Sequence, residues 1–166
     1  MRLPSRSRVL IVASQTADSR ELSRAVARRA QDGPCAFTLL VPGTVRVLRQ
    51  VIDADYHADG DAEARIDAAI PVLSEAAGAP IIGVVGSPEP LRAVQDVLNL
   101  LGFDEAIISM LPLRESRWFQ ADLPRKVRAL GVPVTEVICS DHQFDGAAAG
   151  PSAESVPMAA SMTSAA

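Results

Sequence analysis

Lysine is nearly missing from this sequence. Lys126 stands alone among 15 arginines, and 16 basic side chains face 20 acidic ones for a net charge of −4. So balanced a chain has no broad electrostatic reason to coat nucleic acid or an anionic membrane. Cysteine is scarce as well. Cys35 and Cys139 stand about a hundred residues apart, in neither CxxC nor metal-ligand spacing. That excludes a disulfide framework and a zinc site, and reads as two buried, inert thiols in a reducing compartment. Long apolar runs are lacking: Val9–Ala13 and Ile81–Val85 are far too short to span a bilayer. The basic N-terminus precedes an apolar stretch shorter than a signal-peptide core, so a cytoplasmic protein is expected. Histidine is limited to His57 and His142, and no GxSxG, HExxH or GxxxxGK[ST] pattern occurs. A nucleophile–His–acid triad is therefore hard to place, and no catalytic residue or metal ligand is assigned. What remains is an ordinary globular balance, 48% apolar and 22% charged over 166 residues, enough for one domain with one sizeable core.

Along the chain, strand-like and helix-like segments alternate. Residues 1–7 form an Arg/Ser/Pro lead with nothing to bury. Arg8–Ser14 is an unbroken apolar run, the mark of a strand covered on both faces. Ser19 can cap a helix with Leu22, Ala25, Val26 and Ala30 inward, stopped by Asp32-Gly33-Pro34. Ala36–Val41 predicts a second strand. Val45, Leu48, Val51 and Ile52 suggest a short amphipathic helix before the acidic segment Asp53–Asp61. Another helix should begin near Asp61 with Ile66, Ala69, Ile70, Leu73 and Ala77 inward, and Pro71 should kink or break it. Pro80–Gly86 predicts the third strand. Ser87-Pro88-Glu89-Pro90 then reads as a helix start with a capping serine, followed by an inner stripe of Leu91, Val94, Leu98 and Leu101. Asp104–Met110 holds a fourth strand and Leu111–Arg117 a loop. Asp122-Leu123-Pro124 reads as cap and first turn of a last helix through Leu130, and Val132–Cys139 as a fifth strand. From Ser140 on, Ala, Ser, Pro and Gly fill 17 of 27 positions, which predicts a disordered tail. The expected organisation is one α/β domain over 8–139, with parallel strands joined by right-handed crossovers and helices on both faces.

In an open sheet of this kind a ligand lies beyond the carboxyl ends of the strands, where strand order switches. The loops to watch are residues 14–19, 42–44, 86–88 and 109–117. Ser14, Thr16, Val41, Gly86, Ser109, Arg114, Ser116 and Arg117 are the candidate nucleotide contacts there. Hydroxyls, backbone amides and guanidinium groups beside helix N-termini can hold a phosphate. The same serines and threonine also suit turns and caps, and the arginines suit solvent, so both readings stand. The acidic stretch Asp53–Asp61 tempts a calcium-loop reading, since Gly60 falls on the sixth place of a loop begun at Asp55. Ile66 then occupies the place of the closing glutamate, so a solvated acidic loop is the better expectation. Trp118 and Phe119 beside Leu123 are read as fastening their loop to the core.

With these segments in order, the chain resembles the universal stress protein family in its strand–helix succession, in the acidic residues after the first strand's turn, and in the helix start Gly86-Ser87-Pro88. The resemblance spans residues 8–139 and is to the divergent form found in actinobacteria, whose GC-rich coding suits the 15 arginines and 27 alanines. It implies a five-stranded parallel sheet of order 3-2-1-4-5, Rossmann-like, with the switch point between the first and fourth strands. It also implies a homodimer formed by antiparallel pairing of the fifth strand, 132–139, whose Val134, Val137 and Ile138 make an apolar edge that must be covered or paired. Val137→Lys should weaken such a dimer.

ATP-binding members carry an aspartate at the end of the first strand and G-x2-G-x9-G-[S/T] after the fourth. By this resemblance Ser14 takes the aspartate's place, Ser109 and Pro112 those of the first two glycines, and Asp122-Leu123 the final pair. The spacing survives and the residue types do not. Pro112 removes an amide, and Asp122 brings a carboxylate to where phosphates would lie. At about 4 Å such a charge costs on the order of 1 to 4 kcal/mol, or roughly one to three decades of affinity. The sequence thus predicts a non-catalytic, dimeric stress-response or interaction domain that has lost the family's usual ATP binding, with no cofactor and with a second copy or another protein as partner. A regulatory module that holds ATP or AMP through an altered loop is the alternative, and a nucleotidyl transferase or hydrolase on the same scaffold is a third reading.

Overall fold

A computed structural model describes residues 6–43, 58–112 and 122–140. The short helix suggested at Val45–Ile52, the histidines, Trp118, Phe119 and the tail beyond Ser140 lie outside these residues.

Five strands form one parallel sheet of order β3-β2-β1-β4-β5, as expected. They are β1 (Ser7–Val12), β2 (Cys35–Pro42), β3 (Ile82–Gly86), β4 (Glu105–Met110) and β5 (Val134–Ile138). β1 is central, with Ser7 to Val12 beside Cys35 to Leu40 of β2, and Val9 to Val12 beside Glu105 to Ile108 of β4. The crossovers are α1 (Arg20–Gln31), α2 (Ala58–Ala77), α3 (Pro90–Leu101) and α4 (Leu123–Ala129). Alternation along β1 divides the core in two. Val9, Ile11 and Ala13 pack under α1 and α2 with Leu22, Val26, Ala69 and Leu73. Leu10 and Val12 pack under α3 and α4 with Val94, Val97, Leu123 and Val127. A strand apolar at every position is thereby buried on both faces.

Local chemistry sets the helix ends. Ser19, extended at φ −68° and ψ 148°, accepts the Leu22 amide and caps α1 as expected. Its last turn is tied to β4 by an ion pair of Arg29 with Glu105 at 2.6 Å. Below the sheet's other half, the Arg8 amide donates to Asp104 Oδ2 at 2.8 Å and the Asp104 amide returns a bond to the Arg8 carbonyl at 2.9 Å.

Several expectations need correction. Helix α2 begins at Ala58, so Ala58–Asp61 is helical instead of a solvated acidic loop. Ala62, fully buried, anchors this first turn to the core. Pro71 sits inside α2 on its exposed side and does not divide the element. Ser87 does not cap α3. Its hydroxyl accepts the Glu89 amide at 3.4 Å, Glu89 takes the cap position without a side-chain bond, and Pro90 opens the helix. The buried stripe of α3 is Ala93, Val94 and Val97, with Leu91 and Leu98 partly buried and Leu101 43% exposed. Small residues face the sheet because the helix lies close to β3: a Cβ added at Gly86 would stand 2.7 Å from Ala93 Cβ and 2.7 Å from Leu40 Cδ1. On β5, Val137 belongs to the core and Ile138 is the exposed apolar residue. The expected apolar edge is thus carried by Ile138, and Val137→Lys would injure the core itself.

Candidate functional site

The switch point lies between β1 and β4, beyond their carboxyl ends. There the chain leaves β1 in two overlapping turns. The Ala17 amide donates to the Ser14 carbonyl and the Ser19 amide to the Thr16 carbonyl, each at 3.2 Å. These turns fold the Thr16 and Ser19 side chains back over the sheet, where they are almost wholly buried.

Two further groups meet them. Ser109, one residue before the end of β4, donates its hydroxyl to Thr16 Oγ1 at 2.8 Å. Cys139, just past β5, is held by its amide on the Met110 carbonyl at 2.8 Å. Its Sγ lies 3.0 Å from Ser19 Oγ and 3.2 Å from Ser109 Oγ. Thr16, Ser109, Cys139 and Ser19 therefore form one continuous polar chain across the ends of β1, β4 and β5. Among the described residues no buried side-chain nitrogen or oxygen lacks a partner. Chemically the cluster reads as internal satisfaction: each hydroxyl that could meet a ligand is already within hydrogen-bond distance of a neighbour.

The neighbouring strands end differently. The Gly43 amide donates to the Gly86 carbonyl at 3.0 Å, closing β2 on β3. Val41 is fully buried in the core under α1 and α2. Across the sheet, Asp122 precedes α4 in the left-handed conformation, φ 52° and ψ 42°. The expected cap bond is not made; the Asp122 carboxylate pairs with the Arg125 guanidinium instead, while its carbonyl accepts the Lys126 amide at 3.1 Å.

No family model and no curated protein matches the sequence. Solved structures do. A universal stress protein from Archaeoglobus fulgidus superposes with a TM-score of 0.56 at 15% identity, over 79% of this chain and 93% of that one. A protein of the universal stress protein family from Burkholderia pseudomallei gives 0.50 at 13% identity, over 82% and 98%. A universal stress protein in complex with cAMP gives 0.47 at 16%, over 79% and 96%. This chain has the universal stress protein fold. On that fold, Asp122 stands where the resemblance places a glycine, and it keeps the positive φ that a glycine adopts without strain.

Of the candidate contacts on this universal-stress-protein scaffold, Thr16 and Ser109 are brought together and Ser14 is half-buried at the head of the turn. Gly86 serves close helix packing and Val41 the core. Arg114, Ser116 and Arg117 lie outside the described residues. Sequence reasoning missed Cys139 and Ser19 as members of the cluster. Their hydroxyl and thiol types were visible, but nothing local places residue 139 beside residue 19. Among the described residues no group of three or more His, Cys, Asp or Glu could hold a metal ion, and no helix is long and apolar enough to cross a membrane.

Both thiols are buried. Burial pushes the Cys35 thiol above its ordinary pKa, against the pull of the nearby Arg29 guanidinium. It donates to the Gly33 carbonyl at 3.1 Å. A raised pKa and an internal bond are the marks of a structural thiol, not a nucleophile.

Proposed function

We propose that this protein is a non-catalytic stress-response or interaction domain of the universal stress protein type, which does not take ATP in that family's usual manner and works as a homodimer. The observation that carries the reading is the Thr16–Ser109–Cys139–Ser19 chain, whose groups at the switch point are buried and engaged with one another. A phosphate seated there would have to break these bonds and leave buried polar groups unpaired, at roughly 1 to 3 kcal/mol each. Pro112 offers no amide where the nucleotide loop of the resemblance needs one, and Asp122 sets a carboxylate at its close.

The dimer rests on the β5 edge. Ile138 is 55% exposed at the end of a strand whose outer side has no neighbouring strand among the described residues. Such an edge pairs readily with another. At about 500 mM salt, where exposed ion pairs are screened, Ile138→Lys should lower the sedimenting mass toward that of one chain while leaving the circular dichroism unchanged; an unaltered mass would refute edge pairing.

The decisive experiment for the function is isothermal titration of the full chain with ATP and magnesium, AMP and cyclic AMP. No heat up to millimolar ligand is expected. Micromolar binding would overturn the reading in favour of a regulatory nucleotide module.

A further inference from the structure

Helix α3 turns Ala93, Val94 and Val97 to the sheet and a polar flank to solvent. Glu89, Arg92, Asp96 and Asn99 are exposed on that flank. They line one side of a concavity of about 800 Å³, away from the switch point, whose other side includes Leu130 and Val132. Helix α4 is 7 residues long and α3 is 12. At 1.5 Å per residue, α4 is too short to flank α3 along its whole length. Leu100 projects from the same flank, 81% exposed. Neither Arg92 nor Asp96 enters an ion pair among the described residues.

We propose that this flank docks against the same helix of a second copy, packed antiparallel about a two-fold axis. In a two-fold interface, residue i faces j and j faces i. With the axis crossing the exposed flank level with position 94, Arg92 of each copy faces Asp96 of the other and Glu89 faces Asn99. Both pairings share that one midpoint, so a single axis serves them together. Arg92 and Asp96 lie four residues apart, about 6 Å along the helix, in the order that is the weaker one for pairing within a single helix. Across the axis the same two charges meet twice with opposite sign. Self-complementary charge favours another copy of this chain over an unrelated partner.

This interface is separate from the β5 edge, and the two together would build a tetramer or an open chain of dimers. The test uses the full chain carrying Ile138→Lys, so that edge pairing cannot contribute, followed by analytical ultracentrifugation at about 50 mM and about 500 mM salt. Self-association should persist at low salt and weaken at high salt. Arg92→Asp or Asp96→Arg alone, each in an exposed position where folding is not at stake, should raise the dimer Kd at least about tenfold. An equimolar mixture of the two single variants should restore association, since each then carries one sign on this flank. So should the double reversal. A parent chain that stays monomeric at about 100 μM, single variants that associate as the parent does, or a mixture that fails to restore association would each overturn the proposal.

Discussion

Ser109→Ala withdraws the hydroxyl that donates to Thr16 Oγ1 at 2.8 Å and lies 3.2 Å from Cys139 Sγ. Cys139 keeps Ser19 at 3.0 Å, but Thr16, only 3% exposed, loses the donor to its oxygen. Leaving that buried oxygen unsatisfied should cost about 1 to 3 kcal/mol. Thr16→Val acts on the other end of the same bond, and Ser109 can then turn its hydroxyl to Cys139. That loss should be smaller, about 1 kcal/mol. The double variant removes both ends together, so it should cost less than the sum by about 1 kcal/mol. For a chain of this size each kcal/mol lowers Tm by roughly 2 to 4 °C. Urea unfolding of the four proteins, followed by far-ultraviolet circular dichroism, gives the cycle directly provided the denaturant slope stays constant. Additivity within about 0.5 kcal/mol would refute the reasoning, because two residues that share a buried bond cannot act independently.

Gly86→Ala should destabilise by about 1 to 3 kcal/mol, since its Cβ would stand 2.7 Å from Ala93 Cβ and α3 would have to lift off β3. A chain as stable as the parent in the same urea assay would show that the helix has room to spare. Cys35 is pushed above its ordinary pKa by burial, so folding favours the neutral thiol. Its contribution is complete below the unfolded thiol's pKa and is lost as pH rises through the higher folded one. The stability gap between the parent and Cys35→Ala should therefore narrow above about pH 8.5, and a constant gap up to about pH 10 would contradict the shift.

The sheet was legible because its strands are short apolar runs bounded by Gly and Pro, and strand order followed from resemblance to a known family. The failures share a cause. Asp59-Gly60-Asp61 has loop composition, yet the burial of Ala62 carries it into α2. The leucines of α3 suggested an inner stripe, but the sheet's close approach at Gly86 demands alanine at position 93. Ser87 is a good capping residue by type and stands two residues too early in the chain for the helix that forms. The cluster at the switch point was half legible: Thr16 and Ser109 could be nominated by loop position, whereas the part played by Cys139 depends on β5 ending beside α1's cap.

The centrality of β1 also bears on how the chain is made. Its partner on one side, β2, begins at Cys35, but its partner on the other side, β4, begins at Glu105. At a ribosomal pace of roughly 5 to 20 residues per second, the bare side of β1 waits several seconds for its neighbour. Once β3 is complete at Gly86, β3-β2-β1 is a three-stranded fragment whose open edge is the apolar run Val9–Val12, the part of the finished sheet best hidden from water. The nascent chain therefore has its greatest need of a chaperone just before residue 105 emerges, and truncation there would release a fragment prone to pair with its own kind.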